Sequence, residues 1–155
     1  ERPLRCEDLI AWQATAVDQP GIVWEVKCED DPEAVAAAAA AITKRLRDAG
    51  DHRCVVSSFS RDVLLALRPQ LQGIPMALIA EALPEDGVGF CQEHGLEGMH
   101  LDGHQVTQES ARTVLDAGLV LRCYTINNMR EAERLVALGV SMIMTDFPER
   151  LLARD

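Results

Sequence analysis

The chain alternates short runs of β-branched and apolar residues with longer stretches of helical periodicity, the pattern of βα units around a mainly parallel sheet. Six runs predict strands, at residues 22–27, 54–58, 76–80, 98–101, 120–126 and 141–145. The intervening helices have readable starts. Asp31-Pro32-Glu33 sets a cap residue before a proline and opens a helix over 34–46, which Asp48-Ala49-Gly50 ends. Ser60 caps a helix over 62–67 that Pro69 closes. Pro84 and Glu85 open a helix reaching Gly95, and Thr107 starts one over 109–115. Asn128, followed three residues later by Glu131, resembles a capping box ahead of a helix over 132–138. Residues 7–16 form a helix before the first strand, and 148–152 a short one after the last. Ala117-Gly118-Leu119 and Leu138-Gly139-Val140 share one ending: an apolar residue, a glycine for a left-handed turn, and the start of the next strand.

Composition narrows the function more than the fold. With 155 residues, 48% of them hydrophobic and 26% charged, the chain is expected to form one globular domain over 1–155. That length suits an open doubly wound sheet, whereas a complete eight-stranded barrel takes about 250 residues. The net charge of −10, with no run of Lys or Arg, excludes a nucleic-acid surface and requires local compensation for any anionic substrate. The five cysteines are odd in number and never paired as C-x-x-C, which argues against a zinc knuckle and a disulfide framework and for buried thiols in a reducing compartment. No apolar run approaches the roughly 18 residues of a membrane span, so the expected location is cytoplasmic. Neither a Gly-x-Gly-x-x-Gly loop nor a Gly-Lys-Ser/Thr phosphate loop is present.

Candidate chemistry lies where polar residues interrupt strands. Trp24-Glu25-Val26-Lys27 puts two charges at i and i+2 of a strand that burial on both faces would keep apolar. Glu25 can hold a hard divalent cation and Lys27 can meet a phosphate oxygen, or the two pair with each other at the sheet's end. Tyr124-Thr125-Ile126-Asn127 ends another strand with polar groups. Tyr124 or Thr125 could border a glycerol-sized ligand, while Asn127 could simply terminate the strand. Ser57 and Ser58 lack the surroundings of a nucleophile, and either can line a site without reacting. Asp146, before Phe147-Pro148, is set to cap the last helix while Thr145 bonds nearby backbone. Of the histidines, His52 and His94 read as surface residues. His100 falls in a strand and could contact a ligand, and His104 follows in a loop without a zinc motif around the pair.

Taken in order, Glu25-Val26-Lys27, Val55-Val56-Ser57-Ser58-Phe59, His100-Leu101, Tyr124-Thr125-Ile126-Asn127 and Thr145-Asp146-Phe147-Pro148 resemble the glycerophosphodiester phosphodiesterase family. The resemblance covers nearly the whole chain. It implies an α/β fold, a (β/α)8 TIM-type barrel that is incomplete here, with about six βα units and the first two missing. It also implies hydrolysis of glycerophosphodiesters to glycerol 3-phosphate and an alcohol, dependent on a divalent metal, Mg2+ or Ca2+. Glu25 would be a metal ligand, and Lys27, Ser57, His100, Tyr124, Thr125 and Asn127 would bind substrate. No catalytic residue is assigned to this chain. The family's His-Arg-Gly, Glu-x-Asp and His-Asp elements are absent from it, so the catalytic histidines are expected in the missing N-terminal part. The partner is then a small-molecule substrate, together with a homo-oligomer or a completing chain. A non-catalytic module that binds a phosphorylated ligand, or a structural one, is the alternative use of the same fold.

Overall fold

The computed structural model describes residues 5–17, 20–27, 31–49 and 54–152. Gly50, His52 and Cys28 lie outside the described residues. The chain divides into two compact units, residues 1–76 and 77–155.

The first unit runs α1 (Cys6–Thr15), β1 (Ile22–Glu25), α2 (Pro32–Ala49), β2 (Cys54–Ser58) and α3 (Arg61–Leu67). β1 and β2 pair in parallel, from Ile22 opposite Cys54 to Glu25 opposite Ser57. Trp24 and Ile10 share an apolar pocket with Ile42 and Leu46, so the indole turns toward α1 and α2. Alternation along the strand then sends Glu25 to the other face. Buried Gln13 donates its side-chain amide to the Pro20 carbonyl at 2.7 Å, meeting the need that burial creates. Arg45 of α2 reaches Glu7 of α1 at 3.0 Å. The Ser60 hydroxyl accepts the Val63 amide and starts α3, whose Val63, Leu64 and Leu67 are buried.

The second unit holds nearly all of β3 (Met76–Ala80), then α4 (Gly87–Glu93), β4 (Gly98–Asp102), α5 (Gln108–Asp116), β5 (Val120–Tyr124), α6 (Met129–Ala137), β6 (Met142–Ile143) and α7 (Pro148–Leu152). Its strands follow chain order and pair in parallel, with His100 between Ile79 and Arg122, and Arg122 opposite Met142. Both units therefore have the α/β class expected. Gly118 and Gly139 take the left-handed conformation, with φ of 76° and 90°, at the two matched helix endings.

Several boundaries differ from expectation. β1 stops at Glu25, leaving Lys27 in the loop, although the Val26 amide still donates to the Ser57 carbonyl at 2.8 Å. β5 stops at Tyr124, while the Ile126 amide continues to the Met144 carbonyl. α4 starts at Gly87, because the Pro84 carbonyl is taken up in a turn by the Gly87 amide. Only half of the box at α6 forms. Asn128 accepts the Glu131 amide, but the Glu131 carboxylate engages Arg134 instead of turning back. A full box does form at α5, between Thr107 and Ser110.

Two glycines give opposite expectations. A Cβ at Gly98 would stand 2.0 Å from the Val120 carbonyl oxygen, whereas at Gly89 it would meet nothing within 4 Å. Gly98→Ala should cost about 3 kcal/mol or more, and Gly89→Ala, inside α4, should add roughly 0.5–1 kcal/mol. Thermal unfolding midpoints of the two variants should move in opposite directions.

Candidate functional site

In the first unit, polar side chains collect at the carboxyl end of the β1–β2 pair. In-register neighbours on parallel strands project to the same face, so Glu25 and Ser57 emerge side by side. Lys27 Nζ approaches Glu25 Oε1 at 3.6 Å, with side-chain exposures of 82% and 36%. A pair this exposed contributes at most about 1 kcal/mol, so stability alone does not account for two charges at a strand end.

The two serines have different tasks. Ser58 donates its hydroxyl to the Val26 carbonyl at 2.7 Å and accepts the Ser60 amide at 3.1 Å, tying β1 to β2 and the turn into α3. Ser57 is fully buried, and its hydroxyl has no hydrogen-bond partner among the described residues. A buried, unsatisfied hydroxyl costs about 1–3 kcal/mol, and this one stands beside the carboxylate. Ser57 is thus the one of the two left with hydrogen-bonding capacity.

The second unit places its polar residues in two layers. At the strand ends, the Asn127 side chain works as a clamp. Its carbonyl oxygen accepts the Thr145 hydroxyl at 2.9 Å and the Asp146 amide at 3.0 Å, and its amide donates to the Asp146 carboxylate at 2.9 Å. Asp146, expected to cap the last helix, thus directs its carboxylate across to Asn127, and Thr145 accepts the Phe147 amide as anticipated. The Tyr124 hydroxyl donates to the Ala80 carbonyl at 3.0 Å, bridging β5 to the end of β3. Thr125 is exposed beside it. Asp102 accepts the backbone amide of exposed His104, fixing that loop.

Deeper in the second unit, His100 is 1% exposed and its Nε2 has no partner among the described residues. Burial, with the Arg122 charge beside it, pulls the imidazole down to about 4, so it is neutral at physiological pH. Arg122, itself buried, donates to the Glu97 carboxylate at 2.7 Å. Sequence reading passed over this arginine, although a charge inside residues 120–126 was the signal. The His94 ring lies tilted at 58° against Phe90, with ring centroids 4.7 Å apart. Cys54, Cys91 and Cys123 are buried and outside any disulfide among the described residues, and burial pushes Cys123 up to about 12.

Metal binding can be weighed against these donors. Glu25 offers one hard carboxylate oxygen on a partly exposed side chain, but hard divalent cations take about six oxygen ligands. Among the described residues no group of three or more His, Cys, Asp or Glu gathers at one place. Glu25 suits the role of a single ligand, and the described residues do not make a complete metal site. Among them, too, no helix is long and apolar enough to cross a membrane.

The sequence model of the Glycerophosphoryl diester phosphodiesterase family matches residues 12–150. A glycerophosphodiester phosphodiesterase of Bacillus subtilis is 25% identical over 100 residues, which are 61% of this chain and 34% of the relative. The crystal structure of a Silicibacter pomeroyi DSS-3 protein assigned as a glycerophosphoryl diester phosphodiesterase superposes with a TM-score of 0.84 at 25% identity, over 95% of this chain and 54% of that one. An Oleispira antarctica phosphodiesterase, solved with the product sn-glycerol-3-phosphate, gives 0.77 at 20% identity over 84% and 53%. The chain therefore spans a third to about half the length of these relatives. The strands and helices belong to the incomplete (β/α)8-type fold that the sequence led one to expect.

His100 supplies a pH test. Its folded value of about 4 lies below the ordinary 6.5, so between these values the unfolded chain binds more protons. Stability should be full above about pH 6.5 and fall as pH drops toward 4, by roughly 3 kcal/mol in total. His100→Gln should flatten that slope in denaturant titrations from pH 4 to 7.

Proposed function

Because the chain belongs to the glycerophosphoryl diester phosphodiesterase family, matched over residues 12–150, we propose that the whole protein hydrolyses glycerophosphodiesters to glycerol 3-phosphate and an alcohol, with this chain supplying the later βα units. The observation that carries the reading is the strand-end group of Glu25, Lys27 and Ser57, which holds an exposed ammonium, a carboxylate and an unsatisfied hydroxyl together. The sn-glycerol-3-phosphate bound to the Oleispira antarctica structure supports the same substrate class.

Each residue then has a physical task. Lys27, on a long exposed side chain, exchanges its weak pairing with Glu25 for a phosphate oxygen and compensates locally for the chain's net charge of −10. Ser57, fully buried here, would donate its hydroxyl to a phosphate or glycerol oxygen only once the contacts covering it part, which would relieve the cost of leaving it unsatisfied. Glu25 would be one oxygen ligand of a divalent cation, Mg2+ or Ca2+, which when bound supplies positive charge to the phosphoryl group. In the second unit, Tyr124 and Thr125 are read as bordering substrate, and Asn127 as shaping the loop that carries Thr145 and Asp146. His100 is buried and neutral, which does not suit a proton-transfer group. Proton transfer falls to the two histidines that the family resemblance assigns to earlier βα units, outside this chain.

The test is release of glycerol 3-phosphate from glycerophosphocholine by the native polypeptide purified from its source. Release should depend on Mg2+ or Ca2+ and stop with chelator. Glu25→Gln should lower kcat/KM by about 100-fold or more, and Lys27→Met should raise KM by about 10-fold or more. Binding of glycerol 3-phosphate without turnover in metal-replete protein would instead select a phosphorylated-ligand-binding module.

A further inference from the structure

Two buried nitrogens without a partner stand next to each other in the second unit. His100 of β4 and Arg122 of β5 are in-register neighbours on parallel strands. Such strands lie about 4.8 Å apart, and in-register side chains leave the sheet on the same face. His100 is 1% exposed and Arg122 7%. His100 Nε2 and Arg122 Nη1 are both shut off from solvent with no hydrogen bond to each other or to any other group among the described residues. Buried polar atoms are nearly always paired, with protein or with ordered water. Two such atoms on one patch of sheet therefore point to a shared occupant.

The surroundings decide its chemistry. The other terminal nitrogen of the same guanidinium, Nη2, donates to the Glu97 carboxylate at 2.7 Å, so the arginine charge is already balanced. On the far side of His100 its in-register neighbour is Ile79, itself buried, whose side chain offers no polar atom. An anion placed here would add unbalanced charge to a neutral, buried group. A metal ion finds no lone pair on the guanidinium. A small neutral molecule that both accepts and donates meets both nitrogens, and water is the smallest that does so.

We propose that one buried water bridges Arg122 Nη1 and His100 Nε2. The water accepts the Nη1 hydrogen and donates one of its own to the Nε2 lone pair, which fixes the imidazole proton on Nδ1. Two polar partners are the lower limit that holds a buried water. A neutral imidazole has the lone pair this bridge requires, and an imidazolium has none. A chain of contacts then runs from Glu97, just before β4, through Arg122 of β5 and the water to His100 in the middle of β4. It satisfies both ends of the guanidinium and joins the two strands on the face where their backbone ladder does not act. His100 is thereby a positioning residue for Arg122. The inference stands on the packing of these two strands and does not depend on the catalytic reading.

The tautomer of His100 tests the bridge without substrate or metal. In the native polypeptide labelled with 15N at histidine, proton–nitrogen correlation spectra at neutral pH should show a proton on Nδ1 of His100 and none on Nε2. The His100 signals are assigned by their loss in His100→Gln. A high-resolution crystal structure should show a single ordered water about 2.7–3.2 Å from both nitrogens, and crystals soaked in bromide should give no anomalous peak at that position. Arg122→Met, which removes the donor on the other side of the water, should abolish the preference for Nδ1. A proton on Nε2 of the unaltered protein would overturn the proposal, as would the lack of an ordered molecule between the two nitrogens. A bromide peak there would overturn it in favour of a small anion. A tautomer unchanged in Arg122→Met would show that the arginine plays no part in the bridge and would overturn it as well. If that variant does not fold, the spectra and crystals of the unaltered protein decide the question alone.

Discussion

A parallel strand covered by helices has its backbone groups taken by its neighbours and its faces filled by apolar side chains, so it can carry charge only near its ends. The rest of the structure depends on this constraint. In the first unit, Trp24 is committed to the helices α1 and α2, and alternation along β1 leaves Glu25 on the opposite face, beside Ser57. Lys27 follows after the strand has ended and turns back to within 3.6 Å of Glu25. A charged group is thereby assembled at the carboxyl end of a strand pair, where folds of this kind put their ligands.

Hydrogen-bond bookkeeping separates the residues that build the framework from those left available. Ser58, Asn127, Asp146 and Arg134 have their polar atoms engaged. Arg134 donates to the Gly103 and Val106 carbonyls as well as to Glu131, holding the loop after β4 against α6. Asn127 joins the loops after β5 and β6. Ser57 and the Nε2 atom of His100 are two of the four contrasting cases, buried without a partner among the described residues, the others being Thr43 Oγ1 and Arg122 Nη1. Ser57 stands beside a partly exposed carboxylate, whereas His100 stands beside a buried arginine already held by Glu97. That difference in surroundings favours Ser57 for ligand binding and makes His100 a sensitive point of stability.

The sequence was most legible where the physics is local. Ser60, Thr107 and Asn128 cap the helices they were expected to cap, because a side chain bonding the amide three residues ahead needs no distant partner. Strand existence and parallel pairing were equally readable from the alternation of elements. Strand ends were not, since the last residues of β1 and β5 depend on which neighbouring carbonyl remains within reach. Nor could spacing distinguish Ser57 from Ser58, because the distinction rests on the Val26 carbonyl, 32 residues earlier than Ser58. The Arg122–Glu97 bond spans 25 residues, and the depth of His100 follows from the same packing. The resemblance named the residues of the strand-end group, while their pairing and burial became readable only in three dimensions.

The account stands or falls on whether the β1–β2 strand end receives the phosphate group. Calorimetric titration of the native polypeptide with sn-glycerol 3-phosphate, in the presence of divalent cation, addresses this without requiring turnover. Lys27→Met and Ser57→Ala should each weaken binding, the lysine variant by about tenfold or more, while Ser110→Ala, at the start of α5, should bind as tightly as the unaltered protein. Unchanged affinity in both the Lys27 and Ser57 variants would contradict the account and move the phosphate away from this strand end.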